Sequence, residues 1–184
     1  YHTAHGNANF GYFVGDAGNG APGGASVIDR VDYSNDTAVA TRVGDMSNGV
    51  GYFAGTGSAS FGYSGGGSSK NSRVNRIDYS NDTAVTTPVG NLTANKAYLT
   101  GAVSGQESGL SSGVTPIVPA TRSEPSPIGT DFGYFGGGHP GPVSTVDRVD
   151  FSNDTATAAV KGPLSVARRT PTATGNTSYG YWGG

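Results

Sequence analysis

"DRVDYSNDTA" at 29–38 returns as "NRIDYSNDTA" at 75–84 and as "DRVDFSNDTA" at 147–156. Ten residues kept this closely in three places are either a catalytic signature or a structural module. An active site needs asymmetry, a group that its copies lack. Threefold recurrence therefore reads as a module.

Two further markers travel with it. "NFGYFVG" (9–15), "SFGYSGGG" (60–67) and "DFGYFGGG" (131–138) precede the copies, and "SYGYWGG" occupies 178–184. "VGDM", "VGNL" and "KGPL" follow them, ending at Met46, Leu92 and Leu164. Tyr33 to Tyr79 is 46 residues and Tyr79 to Phe151 is 72, so the second step carries 26 extra residues. They localise to 104–129, rich in Ser, Gly and Pro and almost without aromatics. Such a segment reads as a long surface loop, either a tolerated excursion or a partner-binding arm. The chain thus divides into repeat 1 (9–60), repeat 2 (61–130, with the loop), repeat 3 (131–177) and the start of a further repeat (178–184).

Within each copy the apolar pattern alternates, which is the mark of a strand. "FGY" puts Phe10 and Tyr12 on one face, and its bare glycine lets another backbone approach. The glycines that follow supply positive φ for a sharp exit. This is expected to be an inner strand. In the decamer, Arg30, Arg76 and Arg148 stand two residues before Asp32, Asp78 and Asp150, and each pair shares a face. They are expected to form a short polar network between sheets. Tyr33, Tyr79 and Phe151 alternate with them, "SND" is a turn, and the Thr-Ala stretch after it returns as a hairpin partner. Pro88 lies in that return strand and marks it as an outer edge. A fourth, weaker strand runs through "GVGYFAGT", "KAYLTGA" and "RRTPTATG".

Composition agrees with an ordered, turn-rich, all-β protein. Of 184 residues 32 are Gly, yet aromatics reach 10%, too many for a disordered Gly/Ser chain. A net charge of −2 lends nothing to nucleic-acid binding, which shows a basic surplus. Zero Cys rules out a disulfide framework, a thiolate zinc site and a Cys nucleophile. No apolar run approaches the length of a membrane span, so no membrane insertion is expected.

Four short strands in about 46 residues is the size of a propeller blade. The aromatic-Gly-Gly strand, the "VxRxDY" strand, the hairpin turn and the Leu/Met region resemble kelch-type repeats. More narrowly, "GYFGGG…VDRVDFSNDTATAAVKGPLSVAR" (133–168) is similar to tandem-repeat structural proteins of tailed phages of marine cyanobacteria. The resemblance covers nearly the whole chain outside the loop. It departs from eukaryotic kelch repeats in having Thr and Ala where they carry a Trp after the turn. It implies kelch-like blades in a propeller, partial propeller or stacked array, on a virion or other extracellular assembly. The first and last fifteen residues occupy the same part of the repeat, so an excerpt of a longer array or an assembly of several chains is expected over a lone closed ring.

Chemistry-bearing candidates are few. "GNGAPG" (18–23) has dinucleotide-loop spacing, but no helix signature follows and the other copies differ there. Kelch-type copper oxidases need a Cys-Tyr-His set this chain cannot supply, and no sialidase-type Asp-box appears. His2, His5 and His139 form no metal constellation. Asp36, Asp82 and Asp154 offer too few carboxylates per turn for calcium and read as turn formers. The "NDT" triplets, "NLT" at Asn91 and "NTS" at Asn176 are formal glycosylation sequons. Tyr52, Tyr98, Tyr181 and Trp182 are aromatics able to stack on sugars, although their placement in strands favours packing. His139 and Trp182 are the candidate ligand-facing residues. The resulting expectation is a non-enzymatic structural or adhesion protein without cofactor. Its partners would be itself, neighbouring subunits or host-surface glycans. The alternative is a carbohydrate-binding propeller.

Overall fold

Alternating apolar residues joined by Asn, Asp, Ser and Gly turns produce antiparallel meanders, and the computed structural model shows three of them plus half of a fourth. It describes residues 2–16, 26–47, 51–67, 71–99, 102–104, 132–175 and 179–184. The first sheet is β1 (His2–Gly6), β2 (Phe10–Asp16), β3 (Ser26–Asp32) and β4 (Thr41–Asp45). The second is β5 (Phe53–Gly57), β6 (Phe61–Gly66), β7 (Arg73–Asp78) and β8 (Thr87–Asn91). The third is β9 (Ala102–Ser104), β10 (Phe132–Gly136), β11 (Val146–Asp150) and β12 (Ala159–Lys161). β13 (Thr172–Gly175) and β14 (Gly180–Gly183) make a two-stranded sheet. Neighbours in sequence are neighbours in each sheet, all antiparallel. The fold is all-β, built of four-stranded blades in a propeller-like array.

The blades are phased one strand earlier than the repeats. The strands expected to close each repeat instead open the following sheet: Phe53–Gly57 pairs with β6, Ala102–Ser104 with β10 and Thr172–Gly175 with β14. They, and not the "FGY" strands, are innermost. β1 packs beside β5, β5 beside β9 and β9 beside β13. The reason is local. Asn7 Oδ1 accepts from the Asn9 and Phe10 amides, and Ser58 Oγ does the same for Ser60 and Phe61. These side-chain turns fold β1 tightly onto β2 and β5 onto β6. "HGNANF" and "TGSASF" carried that hairpin signal. Most of the inserted loop, 105–129, lies outside the described residues, as does 18–23.

The hydrophobic core lies between blades. One cluster joins Tyr12, Val14, Ile28 and Met46 of the first sheet to Phe53 and Ile77 of the second. The other joins Ala54, Tyr63, Val74 and Leu92 of the second region to Leu99, Phe135, Val149 and Ala158. Tyr12, Tyr63 and Phe135 are fully buried, each contributing on the order of 2 kcal/mol by leaving water. Pro88 sits in β8, the outer edge of its sheet, as expected.

The glycine of "FGY" receives a ring, not a backbone. A Cβ on Gly11 would strike Tyr33, one on Gly62 the rings of His5 and Tyr79, and one on Gly133 Phe151. The glycines after it do take positive φ, at Gly66, Gly67, Gly137 and Gly138.

Candidate functional site

Two aspartates per repeat, four residues apart, divide the labour in the opposite way from the sequence expectation. Asp32 does not pair with Arg30. Its Oδ1 accepts from the Ser34 amide at 2.8 Å and the Ser34 hydroxyl at 2.7 Å, closing the turn. Asp78 with Ser80 and Asp150 with Ser152 repeat this. These serine hydrogen bonds hold all three carboxyls below the usual range, with the nearby arginine charge a smaller influence.

The second aspartate reaches into the preceding blade. Asp82 Oδ2 accepts from Arg30 Nη1 at 2.7 Å and from the Tyr12 hydroxyl at 2.9 Å. Asp154 Oδ2 accepts from Arg76 Nη1 at 2.6 Å and from the Tyr63 hydroxyl at 3.1 Å. Tyr12 lies opposite Arg30 and Tyr63 opposite Arg76 in the strand register, so tyrosine and arginine converge on one oxygen. Asp82 and Asp154 are 8% and 7% exposed and their arginines 31%. The carboxylates are largely desolvated, and each accepts two hydrogen bonds on Oδ2, one of them from a charged donor, which is what makes such pairs tenable. Burial first, then the aspartate, pushes the Tyr12 and Tyr63 hydroxyls well above the ordinary phenol range.

Three further contacts complete this clasp. Tyr79 stacks on Tyr12 with centroids 4.7 Å apart, and Phe151 on Tyr63 at 4.5 Å. Each guanidinium lies over the phenylalanine of its own blade, Arg30 on Phe10 and Arg76 on Phe61, both at 4.7 Å. The turn's carbonyls crowd Gly44 and Gly90, and the Thr86 and Ala158 amides donate to the carbonyls of Asp45 and Asn91. The Thr-Ala stretch thus stays out of the return strand, which begins only at Thr41, Thr87 and Ala159.

Among the described residues the clasp is made twice, and the first and third repeats each hold one unmatched half. Asp36 and Tyr33 of the first repeat are exposed. In the third, Arg148 sits over Phe132 at 4.0 Å and opposite Tyr134 in register. Arg148 has no ion pair among the described residues, and its buried Nε makes no hydrogen bond.

His139 and Trp182 occupy different settings. His139 Nδ1 accepts from the Gly141 amide at 2.9 Å, and its ring meets Tyr98 edge-on at 5.5 Å. Tyr98 in turn meets Tyr52 at 4.5 Å. Both tyrosines have positive φ, 63° at Tyr52 and 53° at Tyr98, an uncommon conformation for a bulky residue. Neither lies within a strand. Trp182 is half-buried against Gly136, the counterpart of Phe135 on Gly65, and its buried Nε1 makes no hydrogen bond.

Between the inner strands lies a cavity of about 190 Å³, lined by Ala4, His5, Thr56, Ala102, Thr174 and neighbouring glycines and alanine. His5 Nδ1 and the Tyr79 hydroxyl share a hydrogen bond of 3.0 Å. Its Nε2 is buried without a partner, as is Thr56 Oγ1, and burial lowers the His5 pKa to about 4. One fully buried ion pair, Lys96 Nζ to Asp147 Oδ2 at 3.0 Å, joins the second sheet's trailing loop to the third sheet, aided by Thr93. Among the described residues no three His, Asp or Glu side chains converge as metal ligands. No helix there is long and apolar enough to cross a membrane.

No protein-family model matches the sequence, and no curated protein does. Solved structures similar to it include Kuenenia stuttgartiensis hydrazine synthase, with a TM-score of 0.52 and 11% identity over 93% of this chain. YjhT follows at a TM-score of 0.43 and 14% identity, over 94% of this chain and 68% of that one. The chain spans 37% of the hydrazine synthase chain. At this identity the likeness to hydrazine synthase is one of fold alone.

Proposed function

We propose that the chain is a non-enzymatic structural repeat protein of a virion or other extracellular assembly, presenting variable loops to a host surface or to neighbouring subunits. The observation that carries this reading is the Tyr-Arg-Asp clasp. The recurring ionisable residues, Arg30 with Asp82 and Arg76 with Asp154, are consumed in joining one blade to the next. What differs between copies lies in the loops that follow the "FGY" strands and in the 104–129 insertion. A scaffold that repeats its joints and varies its loops supports presentation, not turnover.

A second reading, a carbohydrate-binding propeller, is favoured by the Tyr52–Tyr98–His139 group, where aromatic edges and a histidine meet near a blade rim. A glycan array probed with the whole chain, followed by host-surface binding, separates the two. The structural reading expects no saturable sugar binding. Saturable binding to one sugar, competed by that sugar free in solution and lost in Tyr98→Ala, would replace it with the second.

A further inference from the structure

We propose that the outer half of the third sheet, together with the open edge of β14, binds a β-hairpin of this repeat's own chemistry. Its aromatic-Ser-Asn-Asp-Thr turn would place an aspartate between Tyr134 and Arg148. The proposal rests on the structural reading above and names the partner that reading requires.

The two filled joints define what such a site accepts. Each takes one carboxylate oxygen between a tyrosine hydroxyl and an arginine, one aromatic ring on that tyrosine, and turn carbonyls against a glycine. The third sheet carries every receiving group. Tyr134 and Arg148 are cross-strand partners and Phe132 backs the guanidinium. Gly162, the counterpart of Gly44 and Gly90, has nothing within 4 Å of where a Cβ would stand. Leu164 is part-exposed although Met46 and Leu92, its counterparts, are buried. Arg30 and Arg76 each give Nη1 to a carboxylate of the following repeat, and the described residues offer Arg148 no such partner, which leaves a guanidinium held by its blade without the charge-assisted bond that its two counterparts make.

The edge of β14 indicates that the occupant is a hairpin. β14 pairs with β13 on one side and, among the described residues, with no strand on the other. In the complete blades that place is held by the strand leading into the turn, β3 beside β2 and β7 beside β6. An arriving hairpin would therefore add a strand to β14, in the manner of edge-strand addition, while its turn seats on Arg148. A second copy of the chain fits less well. Its matching face is exposed at Phe13, Tyr33 and Val39. However, its β3–β4 hairpin is already paired to β2, and its β1–β2 would compete for the place that β13–β14 hold, with Trp182 seated on Gly136.

The test titrates a fluorescent peptide spanning 144–161, the chain's own third hairpin, onto the whole protein and follows anisotropy. Saturable binding is expected. An Asp154→Ala peptide, and separately an Arg148→Met protein, should each weaken it at least tenfold. The Arg148→Met protein should keep the unmodified protein's unfolding midpoint, because no filled joint uses that residue. Equal binding of both peptides would reduce the site to an open strand edge and overturn the proposal, as would no binding at all. Self-association in analytical ultracentrifugation that Asp36→Ala abolishes would make a second copy the occupant and also overturn it. Sugar binding by the Tyr98 region would defeat the structural reading while leaving the peptide result untouched, so the two can fail separately.

Discussion

Asp36, Asp82 and Asp154 stand at one position of the repeat and occupy two environments. The first faces solvent; the others lie buried under an arginine and a tyrosine. Replacing a buried, paired carboxylate leaves the partner arginine and tyrosine without their acceptor, and here the arginine keeps some access to water. The cost of Asp82→Ala or Asp154→Ala should fall near the lower end for such losses, about 2–3 kcal/mol each. Asp36→Ala should stay within about 0.5 kcal/mol. Denaturant unfolding of the three variants at unchanged m-value measures this, and equal midpoints across the series would refute the clasp. The sequence shows both aspartates and the arginine, and it places them on a strand and a turn correctly. It misassigns their partners because Arg30 and Asp32 are near in sequence, whereas Arg30 and Asp82 are 52 residues apart. The surplus was visible: a Ser-Asn turn capped by Asp32 does not need a second carboxylate, yet all three copies keep one.

At the scale of the element, the third marker of each repeat is a strand end that must leave room for its neighbour's turn. Gly44 would press a Cβ against the Ala84 and Asp82 carbonyls at 2.7 and 2.8 Å, and Gly90 one against those of Ala156 and Asp154. Backbone cannot yield as a flexible side chain can, so Gly44→Ala and Gly90→Ala should each cost about 1–3 kcal/mol through overpacking. Gly162→Ala meets open space and restricts the unfolded chain, so it should be neutral or stabilising by up to about 1 kcal/mol. Thermal unfolding of the three single variants reads the contrast. A Gly162→Ala protein as damaged as Gly90→Ala would mean that the third sheet's outer face is already filled. The strands themselves were legible from alternation and turn residues. Their grouping into sheets was not, because a meander of equal hairpins offers no sequence mark for where one sheet ends. Only the side-chain turns at Asn7 and Ser58, which tie inner strand to second strand, settle the phase.

The whole molecule is a short array in which stability resides between units. Both hydrophobic clusters are shared across blades, and the second sheet contributes to each: Phe53 and Ile77 on one side, Tyr63 and Val74 on the other. The first and third sheets each share one such cluster, and β13 and β14 add a lighter contact on the third through Trp182 and Gly136. In a quasi-one-dimensional array, opening a terminal unit breaks one interface and opening a central one breaks two. Local opening free energies should follow that count. Amide hydrogen exchange is therefore expected to be slowest in β6 and β7, faster in β2, β3, β10 and β11, and fastest in β13 and β14, whose sheet has only two strands. Asp82→Ala should then release the first sheet selectively, speeding β2 and β3 while leaving β10 and β11 protected, and Asp154→Ala should do the reverse. Exchange that rises uniformly over all strands in either variant would show one cooperative unit instead, and the joints would then be parts of a single core. Selective release would show that each Tyr-Arg-Asp joint holds its own pair of blades, the behaviour required of a module whose repeat can be extended by adding a further hairpin.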